Sequence, residues 1–291
     1  MAEELNFKQE LVGCFGQPVA ENPTQPMVEA AFRHHGLDWR YLTIEVAPPD
    51  LAAAVAGVRA MGFRGFNCTI PHKQTVIEHL DELGESASLM QAVNCVVMRD
   101  GRLIGENTDG KGFVDGVRRF TDPAGKRMVL FGAGGAARAI AVEMALVGVR
   151  QIVIVNRDEG KGRGLADLLN GKVREAAGGA VEAEAVGWKG DYVVPEGTDI
   201  VVNATSIGLF PHLDARLALD PDSLRPGMIA VDVIPNPPST RFVRDARERG
   251  CEVVDGLAML VGQGRIGIRH WTGIDPDEAV MRRALEEIFA P

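Results

Sequence analysis

The chain has no uninterrupted apolar stretch that reaches the ~18 residues needed to cross a bilayer, so no membrane-spanning helix is expected. It also lacks a basic excess. Its net charge is −9, which argues against a nucleic-acid or anionic-membrane partner, since either calls for a basic face. A small anionic substrate stays compatible with that charge, because one local cation can serve it. Cysteine is scarce: Cys14, Cys68, Cys95 and Cys251 stand far apart, and no two form a C-x-x-C pair. Free or buried thiols are therefore expected, not disulfides or a zinc site, and no metal is expected. The opening "MAEELNFKQE" is too charged for a signal peptide, which makes a cytoplasmic location the expectation. No internal repeat and no low-complexity linker breaks the chain.

What is present alternates strand with helix. Hydrophobic residues make up 46% and charged residues 24% of 291 residues, as in a globular protein of two ordinary domains. "LVGCF" reads as a strand, "QPMVEAAFRHHGL" as a helix, "RYLTIEV" as a strand and "PDLAAAVAGVRAMGF" as a helix. "FRGFNCTI" is the next strand, and "PHKQTVIEHLDEL" opens a helix with Pro71 in its first turn, where a missing N–H does no harm. "VNCVVMRDGRLIGEN" reads as a hairpin around Asp100-Gly101. Beyond the turn "TDPAGK", "RMVLFGAGGAARAIAVEMALVGV" gives strand, glycine turn and helix. "QIVIVNR", "TDIVVNATSIGL" and "GMIAVDVIP" supply further strands, and an amphipathic helix ends the chain. Repeated βα units predict parallel sheets with helices on both faces. The expected division is an α/β domain over 1–122 and a dinucleotide-binding domain over 123–265, with 266–291 packing back on the first.

The glycine turn carries chemistry. Gly132, Ala133, Gly134, Gly135 and Ala136, followed by Ala137, give the G-x-G-x-x-A arrangement between a strand and a helix. The first glycine allows the tight turn. The second lets backbone approach a pyrophosphate, and the small third residue lets helix and strand pack closely. Phosphates then sit on the helix N-terminus. Asn156, Arg157 and Asp158 end the next strand, where a ribose-reading acid is expected in this motif. The Asp158 carboxylate would bond a 2′ hydroxyl and repel a 2′-phosphate, Arg157 can stack on adenine or hold a 2′-phosphate, and Lys161 and Arg163 pull the other way. The balance favours NAD, with NADP as the alternative.

"NCTIPHK", "QAVNCV", "GENTDG", "GAGGAARA", "NATSIGL" and "GLAMLVGQG" occur in this order, and together they resemble the shikimate dehydrogenase family, which includes quinate/shikimate dehydrogenases. The resemblance implies an α/β substrate domain followed by a Rossmann domain, with the active site in the cleft between them. It implies reversible hydride transfer between a nicotinamide cofactor and a cyclic hydroxy acid such as shikimate or quinate. Lys73 and Asp109 would be the catalytic pair. Asn67 and Thr69 would face the substrate, with Asn94 and Gln263 on its ring hydroxyls. Thr205, Ser206, Gly208 and Gly256 would lie along the cofactor. His72, beside Lys73, is expected on the helix surface, as are His34 and His35. A monomer or a homodimer is compatible with all of this. The alternatives are a dehydrogenase for a different alicyclic polyol acid and a non-catalytic dinucleotide sensor, although a sensor has no use for Lys73 with Asp109.

Two segments depart from the family's pattern. Its N-terminal loop usually reads G-x-P-x-x-H-S-x-S-P, with both serine hydroxyls on the substrate carboxylate. Here "GQPVAENPTQP" places Asn22 and Thr24 at the serines and Glu21 at the histidine. Both side chains still donate a hydrogen bond, but Glu21 adds negative charge near an anionic group. The family's Asp-x-x-Tyr-x-Pro becomes "DVIPNP", so Pro235 removes a substrate-facing hydroxyl. Dehydrogenase chemistry reads as intact and substrate recognition as altered.

Overall fold

A computed structural model describes residues 7–289 of the chain. The first residues of the charged opening and the last two of the 266–291 segment lie outside it. The chain divides into two compact units, 1–107 with 264–288, and 108–263. The break after Asn107 falls earlier than the "TDPAGK" turn.

The first unit holds β1 (Glu10–Gly16), α1 (Thr24–His34), β2 (Trp39–Glu45), α2 (Leu51–Met61), β3 (Gly65–Cys68), α3 (His72–Thr75), β4 (Glu82–Leu83), α4 (Glu85–Met90), β5 (Cys95–Arg99) and β6 (Arg102–Glu106). Its sheet runs β2-β1-β3-β5-β6-β4. The parallel pairing expected from the βα units is corrected for the strands around the expected hairpin: β3 with β5 and β5 with β6 are antiparallel. The hairpin causes this. Asp100 and Gly101 both take positive φ, 51° and 77°, the pair of angles a two-residue turn needs to match strand twist. The long helix expected from Pro71 is also corrected. It ends at Thr75, runs on as a 3₁₀ turn to His79, and gives way to the short strand β4.

Alternation along the strands sorts this sheet into two faces. Phe15 and Phe66 stack with centroids 4.6 Å apart and pack with Leu51, Val55 and Val58 of α2. Cys14 and Asn67, their neighbours in sequence, turn the other way, as does Cys95, which pairs with Asn67 across the sheet. That face meets α10 (Gly256–Thr272), whose Trp271 indole donates to the Val96 carbonyl at 3.0 Å. α11 (Glu278–Ile288) lies beside α1, where the Asp277 N–H donates to His35 Nε2 at 3.2 Å.

The second unit holds α5 (Asp109–Arg118), β7 (Arg127–Phe131), α6 (Gly135–Leu146), β8 (Gln151–Asn156), α7 (Glu159–Leu168), α8 (Arg174–Ala176), β9 (Glu182–Gly187), β10 (Ile200–Asn203), β11 (Ile229–Asp232), α9 (Arg241–Glu248) and β12 (Glu252–Val254). Its sheet, β12-β11-β10-β7-β8-β9, is parallel at every pairing. Strand order reverses between β7 and β10, the switch point at which such sheets open a crevice at their carboxyl ends.

α5 belongs to this unit because its glycines seat it there. A Cβ on Gly110 would lie 2.3 Å from the Ala139 carbonyl oxygen of α6. One on Gly112 would lie 2.4 Å from the Gln263 nitrogen of α10. No real side chain tolerates such a contact, so backbone meets backbone. Gly112→Val is expected to cost roughly 1–3 kcal/mol through overpacking, read as a lower denaturation midpoint. An unchanged midpoint would mean that α5 can shift away at no cost.

Candidate active site

In the first unit the sequence-predicted residues gather where β1 and β3 end and β5 begins. Thr69 N–H donates to the Phe15 carbonyl at 2.9 Å, and Gln17 N–H to the Ile70 carbonyl at 2.9 Å, so the loops after β1 and β3 are laced together. Asn22 opens α1: its Oδ1 accepts from the Thr24 N–H at 3.0 Å while its Nδ2 reaches Cys14 Sγ at 3.7 Å. Thr24 is buried at the first turn of α1, and Glu21 is exposed at the loop tip.

Asn67 and Asn94 form the floor. Asn67 Nδ2 donates to the Asn94 carbonyl at 2.9 Å, and its Oδ1 accepts from the Tyr41 hydroxyl at 2.7 Å. Both ends of the Asn67 amide are thus committed within the protein, leaving one N–H and one lone pair to spare. Sequence reasoning missed Tyr41, which is fully buried on β2. A lone phenol inside an apolar strand was the available signal, since a buried hydroxyl needs a partner.

Lys73 lies in the short helix α3 and is half-buried. Its carbonyl accepts from the Val93 N–H at 2.7 Å, tying α3 to the chain just before Asn94. Its charge is felt by two thiols, Cys14 and Cys68. Burial pushes the Cys14 thiol up to about 11 and the Cys68 thiol well above its ordinary range, and the Lys73 charge opposes both shifts. These thiols are inert fillers, not nucleophiles. The expectation for His72 is corrected: it has no exposed surface, and its Nε2 bonds the Val46 carbonyl at 2.7 Å. A carbonyl only accepts, so Nε2 carries the hydrogen. This bond anchors α3 to the segment that follows β2.

The second unit carries the rest. Asp109 is the first residue of α5, one turn before Gly112 and so on the same face. That face meets α10 at Gly262 and Gln263. Gln263 is buried, and its Nε2 donates to the Leu260 carbonyl at 3.0 Å. The glycine turn follows β7. Gly132 has φ 111°, and a Cβ there would lie 2.7 Å from the Ala204 carbonyl oxygen, so β7 and β10 end edge to edge. A Cβ on Gly134 or Gly135 would meet nothing, so the backbone at the start of α6 is open. Ala136 follows in that first turn, and Ala137 is fully buried against the sheet. An open glycine backbone at the N-terminus of a 12-residue helix fits a pyrophosphate.

Asn156, Arg157 and Asp158 lie at the end of β8. Asp158 caps α7, its Oδ1 accepting from the Lys161 N–H at 3.1 Å, and Asn156 Nδ2 donates to the Asp158 carbonyl at 2.8 Å. Arg157 is exposed. Thr205, Ser206 and Gly208 form the loop after β10. Gly256 opens α10, where a Cβ would lie 2.1 Å from the Ile234 carbonyl oxygen, so this glycine is a packing contact with the loop after β11. No cluster of metal-ligating side chains occurs among the described residues.

Known proteins match this arrangement over its length. Residues 14–96 match the shikimate dehydrogenase substrate binding domain, and residues 256–286 the shikimate 5′-dehydrogenase C-terminal domain. A shikimate dehydrogenase (NADP(+)) of Moorella thermoacetica is 42% identical over 281 residues, covering 95% of this chain and 92% of the relative. The ligand-free crystal structure of 5-ketofructose reductase of Gluconobacter sp. strain CHM43 is 51% identical, with a TM-score of 0.93, over 98% of this chain and 100% of that one. A crystal structure of a shikimate dehydrogenase in complex with NADP+ is 34% identical, with a TM-score of 0.88, over 99% of this chain and 98% of that one. The preference for NAD finds no support in these likenesses. It rested on Asp158, whose carboxylate is turned to its own helix as a cap. The two domain models and full-length identity of this size place the chain in one group: it belongs to the shikimate dehydrogenase family.

Proposed function

We propose that this oxidoreductase transfers hydride reversibly between NADP and a polyhydroxylated substrate, and that an uncharged polyhydroxy ketone is a better substrate than a cyclic hydroxy acid. The open glycine backbone at the start of α6 takes the pyrophosphate. Arg157, exposed at the end of β8, takes the 2′-phosphate, while Asp158 caps α7. The dinucleotide, when bound, supplies the hydride donor or acceptor. Lys73 holds the reacting oxygen and moves its proton. An alcohol that gives up hydride must lose its hydroxyl proton, and a carbonyl that takes hydride must gain one. Asp109 is the second member of the catalytic pair, and Asn67, Asn94 and Gln263 read hydroxyls. An amide suits that task, because a substrate lacking the hydroxyl leaves it unpaired.

One observation carries the choice of substrate. The Gly16–Thr24 loop offers Asn22 and Thr24 beside an exposed Glu21, and the Asn22 oxygen is spent on the Thr24 N–H. The family's pattern puts two serines there for a carboxylate. Pro235 offers no hydroxyl either. A ketose has no carboxylate to hold, and the relative at 51% identity is named for reducing 5-ketofructose. Shikimate is the second reading, favoured by the curated relatives named for it, and it should be turned over weakly.

Steady-state rates with 5-ketofructose, shikimate and quinate, each with NADP(H) and NAD(H), test the substrate. The expected kcat/KM for 5-ketofructose reduction exceeds that for shikimate oxidation by at least about tenfold, the worth of one lost charge-assisted bond. A micromolar KM for shikimate with no 5-ketofructose reduction would reverse the choice. Lys73→Ala should lower kcat by at least ~10²-fold, the scale of a lost proton-transfer group, with little change in NADP affinity. Near-normal turnover in that variant removes Lys73 from the chemistry. Arg157→Ala should raise KM for NADP about 10–100-fold and leave KM for NAD nearly unchanged. Equal effects on both would mean that Arg157 does not read the phosphate.

A further inference from the structure

One buried carboxylate joins the loops that follow β10 and β11. Asp232 ends β11 and has no exposed surface. Its Oδ2 accepts from the Thr240 hydroxyl at 2.6 Å. Its Oδ1 accepts from the Ile234 N–H at 3.1 Å and from Asn203 Nδ2 at 3.2 Å. Asn203 ends β10 and is equally buried. Its Nδ2 also donates to the Ile207 carbonyl at 3.3 Å, and its Oδ1 accepts from both the N–H and the hydroxyl of Thr205, at 3.2 and 2.7 Å. Thr205 Oγ1 accepts in turn from the Ile207 N–H at 3.1 Å. On the other side, Thr240 Oγ1 accepts from the Val243 N–H at 3.2 Å and so caps α9. The two loops also touch directly, with Phe210 N–H donating to the Asn236 carbonyl at 3.1 Å.

The strands do not need this arrangement. β10 and β11 pair through their backbones, and apolar side chains at their ends would serve the core without a buried charge. Burial pushes the Asp232 carboxyl up to about 6, against the hydrogen bonds from Thr240, Ile234 and Asn203 that lower it. Its folded value lies above the ordinary one. Its contribution to stability is therefore present below the ordinary carboxylate range and lost as pH rises through about 6, so the ionised group is a cost at neutral pH. What the cost secures is loop geometry. Every bond from Asp232 and Asn203 ends on a residue of the 203–208 or 232–240 segments.

We propose that Asp232 is a positioning residue for the dinucleotide: through Asn203 and Thr240 it fixes the loops after β10 and β11 in the one conformation that receives the cofactor. This rests on the reading of Thr205–Gly208 as a cofactor loop. Asp232 touches no reacting atom, so its loss should act on affinity and not on the chemical step.

NADP affinity of the purified full-length protein, by titration of intrinsic fluorescence, tests this alongside kcat at saturating cofactor. Asp232→Ala should raise Kd for NADP about tenfold and leave kcat within about twofold. Asp232→Asn keeps the shape and can still bond Thr240, Ile234 and Asn203, so it should restore Kd to within about threefold of the parent. Thr240→Val removes the same link without changing volume, should weaken NADP as Asp232→Ala does, and decides the matter if Asp232→Ala does not fold. A merely structural Asp232 would lower the melting temperature, leave Kd unmoved in the folded variants and show no rescue by asparagine; that result overturns the proposal. Thr205→Val separates the two readings. If it weakens NADP while Thr240→Val and Asp232→Ala do not, the cofactor loop stands and the positioning role falls. If none of the three changes Kd, both fall.

Discussion

Backbone approaching backbone more closely than a β-carbon allows is the constraint on which the second unit depends. Gly132 lets the end of β7 lie against the Ala204 carbonyl, which brings the glycine turn beside the loop after β10. Gly112 does the same for α5 against α10, and so presents Asp109 and Gln263 on facing helix surfaces. Gly256 receives the Ile234 carbonyl and seats the start of α10 on the loop after β11. Each of these glycines forfeits about 0.5–1 kcal/mol of chain entropy relative to alanine where it sits in regular structure. The contact it permits could be made by no other residue.

Where side chains do settle a loop, they are polar, buried and placed at strand ends. The first unit uses an amide, with Asn67 held between the Tyr41 hydroxyl and the Asn94 carbonyl. The second uses a carboxylate and an amide, Asp232 with Asn203. Such groups are stabilising only when every partner is present, because an unpaired buried polar atom costs about 1–3 kcal/mol. That penalty makes the loops all-or-none in conformation, which is what a site needs from its supports.

Both units keep part of the family's pattern and depart from part of it. The dinucleotide turn is complete, and Lys73 and Asp109 are both present. The departures fall at Glu21, Asn22 and Thr24 in the first unit and at Pro235 in the second, outside the glycine turn and apart from Lys73 and Asp109. A change in what is bound, with the chemistry left alone, has this distribution. Hydride and proton transfer impose the same demands on any secondary alcohol, whereas the groups that hold the rest of the substrate answer only to its own charge and shape.

Strand-helix alternation, the Asp100-Gly101 hairpin and the glycine turn were legible in the sequence, because each is fixed by local backbone preference and side-chain period. The family's six motifs made membership of the family legible as well. Tertiary packing decided the rest. The reach of the helix after Pro71 depended on β4 pairing with β6, a contact between distant segments. His72 looked like a surface residue until its imidazole met the Val46 carbonyl. Asp158, read as a ribose contact, also caps α7 through its Oδ1 and the Lys161 N–H, a local contact within one turn. Tyr41 has no neighbour in sequence that explains it, and Asp232 is explained only in part by its own loop. Tyr41 meets Asn67 26 residues away, and Asp232 meets Asn203 29 residues away as well as Ile234 and Thr240 nearby, so the fold brings a buried polar group to atoms that satisfy it.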